Sequence, residues 1–413
     1  MSDDLDRALR GTLATAAQEA PSVRPELLDR VEAVRRGRRR RKMAAAALGT
    51  AVVVGGAGVF GTQFGTGDDT VPVAAAGALK PVARADLGAP VKVREKWPDA
   101  VRKLPARLPN GSRLQPVALL DGDVLVGTTE SSLQRPDRLW SYDLGARRAK
   151  VITNIVIPRG SKIFASDFAV GGGQVVWWLS YRVDGRDTVE IWGAPVAGGT
   201  AHKIVGMPGA EVSTLLIDGD DIVWGMSDGV YKVPLTGGAP AKIPGTEGFG
   251  IVSWPWIGSP APYETKLGYV QYRTLKNVRT GERREARLAP FKGAWTCDVT
   301  WCVGGPASGV RYDGGMPPVA VQSRDGKAGR TLPDKGDVLA PATSVVYGRF
   351  LPYYPDGPVT KTHFLYDIQT RKVLDTGIRR DGEVLGARTN RRDPQSFLTD
   401  DGGTTLVDFS KIG

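Results

Sequence analysis

Gln174-Val-Val-Trp-Trp-Leu179 and, one turn later, Val189-Glu-Ile-Trp-Gly-Ala194 are the runs that decide the fold. Each is short, rich in Val, Ile and Trp, and bounded by Gly/Asp turns, so each reads as a strand. The pair recurs. Upstream it is Asp123-Val-Leu-Val-Gly-Thr128 with Arg138-Leu-Trp-Ser-Tyr-Asp-Leu144. Downstream it is Asp221-Ile-Val-Trp-Gly-Met226 with Gly229-Val-Tyr-Lys-Val-Pro-Leu235. A further strand with a basic residue follows each second run: Ala149-Lys-Val-Ile152, Ala201-His-Lys-Ile-Val205 and Ala241-Lys-Ile-Pro244. Weaker copies continue at Gly268-Tyr-Val-Gln-Tyr272, Val319-Ala-Val-Gln322, Thr362-His-Phe-Leu-Tyr-Asp-Ile368 and Thr404-Thr-Leu-Val-Asp-Phe409.

Taken at the third strand of each unit, the copies begin near 139, 191, 230, 271, 319, 364 and 405. A period of ~40–50 residues with about four strands per unit is the signature of a propeller blade. One blade cannot bury both of its faces, and closure of a ring against neighbouring blades completes the core. A β-sandwich would need only ~100 residues. The expectation is therefore an all-β propeller over 111–413, with seven blades, or six if the divergent middle is miscounted. The last unit reaches Gly413 with little room for a fourth strand. Closure then calls for a strand from before the first blade, and Val91-Lys-Val-Arg-Glu-Lys-Trp97 is the candidate outer strand of the last one. It lies in a linker, 65–110, rich in Ala, Pro and Val, whose middle reads as extended and flexible.

The Asp-Gly turns and the Trp-Xaa-Tyr-Asp-Leu type of strand resemble the TolB-like and WD40-like propellers of secreted bacterial proteins, over roughly 110–413. The resemblance implies the fold and an envelope location, while the Gly-His and Trp-Asp signatures of true WD40 repeats are absent.

Charge sorts the N-terminal part. The chain has 413 residues and a net charge of +11. Residues 1–42 hold eleven Lys/Arg and seven Asp/Glu, a balance of +4, and residues 43–67 hold no charge. The one dense basic cluster is Arg35, Arg36, Arg38, Arg39, Arg40, Arg41 and Lys42, directly before Met43-Ala-Ala-Ala-Ala-Leu48. In that position it acts as a topogenic signal and lipid-headgroup contact, not as a nucleic-acid site. Residues 43–64 suffice for one transmembrane helix, since about 20 residues cross the hydrocarbon. The positive flank keeps the N-terminus in the cytoplasm and exports the rest. A 42-residue region before the segment favours an uncleaved anchor over a signal peptide cut near Val73-Ala-Ala-Ala76.

Residues 1–42 read as a helical tail. Leu5, Leu9, Leu13 and Ala16 recur at helical spacing and Pro21 ends the run. Leu27, Leu28, Val31 and Val34 mark a second short helix. Asp4-Leu-Asp-Arg-Ala-Leu-Arg-Gly-Thr-Leu13 followed by Ala20-Pro21, a basic run and an Ala/Gly/Val segment resembles the N-termini of actinobacterial single-pass membrane proteins, some of them similar to regulators of extracytoplasmic sigma factors. That implies a cytoplasmic regulator as a partner. The tail departs from the best-known modules of that kind, because it has neither the His nor the Cys pair of their zinc motif.

Cys297 and Cys302 flank a turn-capable Asp298, and on the exported side they read as a disulfide across a tight hairpin. Too few ligands accompany them for a metal site: His202 and His363 lie in other repeats. No P-loop, dinucleotide fingerprint or nucleophile elbow is present, so no cofactor and no catalytic residue are assigned. Thr399-Asp-Asp-Gly-Gly-Thr-Thr-Leu406 nearly fits an Asp-box spacing, which is a structural turn. Trp254 and Trp256, beside Pro255, and Tyr353 and Tyr354, beside Pro352 and Pro355, are candidate partner loops for a protein or glycan. The alternative for them is packing over blade ends. The expected function is a membrane-anchored, extracytoplasmic binding, sensing or scaffold module. The alternatives are a TolB-like scaffold without signalling, and a hydrolase or lyase working in the propeller channel.

Overall fold

Strand pairing turns the repeats into sheets. The computed structural model describes residues 77–120, 123–132, 135–158, 161–209, 211–261, 267–307, 318–333, 345–353, 362–379, 395–400 and 403–413. All of them belong to the compact unit Pro72–Gly413. The expected tail, the 43–64 segment and the start of the linker lie outside the described residues. Among the described residues no helix is long and apolar enough to cross a membrane.

The protein is an all-β propeller with six full blades, each a sheet of four strands or more. Blade 1 is Gln115–Leu120, Val124–Ser132, Arg135–Asp143 and Arg148–Asn154. Blade 2 is Ser161–Gly171, Gln174–Val183, Arg186–Pro195 and His202–Pro208. Blade 3 spans 214–242 and blade 4 spans 250–285. Blade 5 centres on Ala294–Cys297, Trp301–Gly305, Ala320–Ser323 and Gly329–Thr331. Blade 6 contains Phe350–Pro352, Thr362–Asp367 and Lys372–Arg379. A further sheet has three described strands, Gln395–Asp400 and Gly403–Asp408 with Val101–Leu104.

Blade 2 shows why the sequence folds this way. Val175, Val176, Trp177, Trp178 and Leu179 are all buried, so both faces of this strand are covered. Such a strand reads as a continuous apolar run instead of an alternating one. Its hairpin turn has Asp184 at φ 47° and Gly185 at φ 79°. Positive φ at both central residues is the type I′ geometry that matches strand twist, which is why Asp-Gly stands there.

Interfaces between sheets carry the core. Val126 and Leu139 of blade 1 meet Val175 and Trp177 of blade 2. Val176 and Ile191 of blade 2 meet Leu215 and Trp224 of blade 3. Val223 packs on Ile251 and Ile257 of blade 4, and Val252 and Leu275 pack on Val299 of blade 5. Val303 and Val321 meet Leu351 and Tyr366 of blade 6. Phe350 and Leu374 then meet Val407 and Phe409 of the three-stranded sheet, and Leu406 packs on Leu125 and Trp140. That last contact returns to blade 1 and completes the circuit.

The segment before blade 1 is a strap. Lys80–Pro81 pairs in parallel with Gly329–Thr331 on blade 5, and Val91–Lys92 pairs in parallel with Lys372–Arg379 on blade 6. Val101–Leu104 pairs antiparallel with Gly403–Asp408 of the three-stranded sheet. The expected ring-closing strand at 91–97 therefore sits one sheet early, and the strand beside Thr405 comes about ten residues later. The reason is local. Val93–Lys96 is a helical turn and Pro98 opens another, which interrupts the extended run and carries the chain to the next sheet. Leu87 fills the blade 5–6 interface. Val93 and Ala100 fill the next one, and Leu104, Leu108 and Leu114 fill the one after.

Two arginines, Arg349 half-buried and Arg324 buried, tie neighbouring sheets together. Arg349 holds Asp367 through two contacts, 2.9 and 2.6 Å, and donates at 2.8 Å to the Ile412 carbonyl. Burial alone would raise the Asp367 carboxyl. The Arg349 and Thr370 hydrogen bonds and the guanidinium charge outweigh it and hold the carboxyl below its ordinary value. Arg324, 4% exposed, donates to the carbonyls of Asp298, Arg273 and Tyr272, each at 2.8 Å. Burial pushes its guanidinium down to about 10, so it stays charged at neutral pH. Cys297 and Cys302 face each other across the first hairpin of blade 5 and form the expected disulfide.

A structural strap and a flexible linker behave differently on deletion. A chain beginning at residue 111 is expected to lose its cooperative thermal transition, and an unchanged transition would refute the strap. Leu104→Ala, which empties a nearly sealed site, is expected to cost about 3 kcal/mol in urea unfolding. Arg349→Met strands a buried carboxylate and is expected to cost about 3–5 kcal/mol at neutral pH. Asp367 is depressed in the fold, so its contribution is present above the ordinary carboxylate range and is lost as pH falls through the folded value. The gap between Arg349→Met and wild type should accordingly narrow below about pH 4 in urea titrations.

Candidate functional site

Residues Lys96-Trp97-Pro98-Asp99-Ala100-Val101-Arg102-Lys103 cross from blade 6 to the three-stranded sheet. Ala100 turns inward with Val93 against Phe409 and Ile412. That packing leaves the side chains of Lys96, Asp99, Arg102 and Lys103 exposed. Together with Lys411 they line an open groove of about 970 Å³, whose wall includes the half-buried Trp97. Four cations and one carboxylate line it. The Lys96 ammonium lies 4.6 Å from the centroid of the Trp97 ring, a cation–π contact. Arg102 reaches Asp123 at 2.9 Å, and Lys411 stands 3.8 Å from Asp408. Lys103 makes no ion pair among the described residues. Such a groove offers hydrogen-bond donors and positive charge, with few acceptors.

A second polar cluster lies where blades 3 and 4 meet. Asp218, the last residue of the first strand of blade 3, accepts the Trp254 indole N–H at 2.8 Å and a bond from the Arg279 guanidinium. The Arg279 hydrogen bond, against the opposing pull of burial, holds the Asp218 carboxyl below its ordinary value. Trp254 itself is half-buried against the Val223–Ile257 cluster.

The aromatic residues singled out from sequence have divided fates. Trp256 is 6% exposed, on a strand facing the Val252–Leu275 cluster, with the Arg284 guanidinium 4.3 Å from its ring centroid. Tyr353 is 3% exposed and its hydroxyl donates to the Pro333 carbonyl. Tyr354 and the basic run Arg35–Lys42 lie outside the described residues. Leu406, at the end of the Asp-box-like stretch, is buried between the three-stranded sheet and blade 1. Among the described residues no group of three or more His, Cys, Asp or Glu could hold a metal ion. The groove residues were missed as a site. Their sequence signal is the change from an Ala/Pro/Val linker to the basic, Trp-containing run after Val91, a run that by its pattern alone reads as a ring-closing strand.

No family model and no curated protein matches the chain. Among solved structures it is similar to TolB from Acinetobacter baumannii, at 13% identity and a TM-score of 0.31, over 53% of this chain and 56% of that one. It thus spans little more than half the length of that protein. It is also similar to an oligogalacturonate lyase from Vibrio parahaemolyticus, at 12% identity and a TM-score of 0.37, over 70% and 75% of the two chains. A third likeness is to an acylaminoacyl peptidase from Pyrococcus horikoshii, at 14% identity and a TM-score of 0.37, over 66% and 46%. These likenesses concern the propeller fold alone, and they include both enzymes and TolB.

Trp254→Phe keeps an aromatic ring, though a smaller one, and removes the N–H that Asp218 accepts. It is expected to cost about 1 kcal/mol in urea unfolding, since a hydrogen bond to a charged group is being lost at a partly exposed site.

Proposed function

We propose that the protein is a membrane-anchored, extracytoplasmic propeller that works as a non-catalytic binding and sensing module, with its N-terminus in the cytoplasm. The observation that carries this reading is the strap. The chain that follows the proposed anchor is built into three successive sheets before the first blade begins. A ligand or partner that shifts those sheets would pull directly on the segment leading to the membrane. In this reading the three-stranded sheet is the seventh blade of the ring, and the tail 1–42 meets a cytoplasmic regulator. The disulfide between Cys297 and Cys302 fits an oxidising compartment outside the cytoplasm. The charge-free segment 43–64 behind seven basic residues supports the anchor and its orientation.

Reporter fusions after residue 30 and after Gly413 test the topology. The expected result is a cytoplasmic signal from the first and an exported signal from the second, and the reverse would refute it. In-membrane crosslinking and pull-down of the full-length chain then tests sensing. Deleting residues 1–34 is expected to lose cytoplasmic partners while keeping outer ones. An unchanged partner set would favour a scaffold of TolB-like type.

A further inference from the structure

We infer that the groove between residues 96–103 and Lys411 binds a linear anionic polysaccharide. The inference rests on the binding reading above and names its ligand class. Three features argue for it together. The rim is cationic: Lys96, Arg102, Lys103 and Lys411 face one lining carboxylate, Asp99. Arg102 is engaged with Asp123, whereas Lys103 has no ion-pair partner among the described residues and Lys411 is held only loosely at 3.8 Å. Charge at the site is thus left for an incoming anion.

The wall is apolar as well as cationic. Trp97 and Val101 are half-buried, and Pro98 is exposed beside them. An indole gives a flat apolar body with one N–H donor at its edge. A polysaccharide with a carboxylate on its repeating units presents C–H faces and hydroxyls to such a wall and anionic groups to the rim. A polyphosphate has charge but no apolar face, so it matches half of the groove. The size agrees: the groove is open and about 970 Å³, room for several sugar units.

The groove also sits at a sensitive place. Its wall is the last part of the strap, and Lys411 belongs to the turn that follows the last strand. Lys96 and Trp97 come from the stretch beside blade 6, and Lys411 from the end of the three-stranded sheet. A chain lying across all three would clamp that joint.

The test uses full-length protein in detergent with polygalacturonate as probe, at low salt, where surface charge is least screened. Neutral dextran and sodium polyphosphate serve as comparisons. Saturable binding of polygalacturonate is expected, with slowed hydrogen exchange over 96–103. Lys103→Glu with Lys411→Glu should weaken it by about tenfold or more, because two attractive charges become repulsive. Lys327→Glu, on a side chain 86% exposed in the turn ending blade 5's third strand, reverses a remote charge and should change nothing. All these positions are exposed, and a thermal transition equal to wild type verifies each variant. Three results would overturn the inference: no saturable polygalacturonate binding, equal weakening by Lys327→Glu, or tighter binding of polyphosphate than of polygalacturonate. Failure here leaves the reporter-fusion result untouched, so the ligand class and the anchored topology stand or fall separately.

Discussion

A four-stranded sheet of this kind has two apolar faces and can cover neither by itself. Everything else in the molecule follows from that. Trp177 faces blade 1 while Trp178, the next residue along the same strand, faces blade 3. Successive side chains leave a strand on opposite sides, so one Trp-Trp pair serves two interfaces. The contacts must then run on until they come back to their start. They do so where Leu406 meets Leu125 and Trp140.

Closure falls to the strap. Its pairings with blades 5 and 6 are two residues long each, while the pairing with the three-stranded sheet is four residues long. Two-residue bridges add few hydrogen bonds, so the anchoring comes from the buried side chains between them: Leu87, Val93, Ala100 and Leu104. Arg349 reinforces the same region by joining Asp367 of blade 6 to the Ile412 carbonyl. The C-terminal end and the pre-blade segment therefore meet at one joint, and the cationic groove lies on it.

Polar groups inside this fold tie strands to one another and loops to their neighbours. Glu190 is buried and accepts from Tyr181 at 2.8 Å, Trp192 at 2.9 Å and Lys203 at 3.1 Å, all within blade 2. Burial first, and the Glu190 contact second, raise the Tyr181 hydroxyl above its ordinary value. Arg324 satisfies three backbone carbonyls from the loops of blades 4 and 5. A buried charge is costly unless its partners are in place, so such residues fix one arrangement of neighbouring loops.

The sequence by itself determined the repeat, the strand class and the cysteine pairing. Those depend on short-range facts: runs such as Gln174–Leu179, Asp-Gly turns, and two cysteines five positions apart. It also determined where charge is dense and where it is missing. The tertiary structure decided what depends on partners distant in the chain. It set 101–104, not 91–97, beside Thr405, because Val93–Lys96 and Pro98 bend the chain between sheets. It buried Trp256 and Tyr353, whose neighbouring prolines had suggested loops. It brought Lys411 to residues 96–103, some three hundred positions earlier, because a ring places its two ends side by side, a fact that no local pattern records.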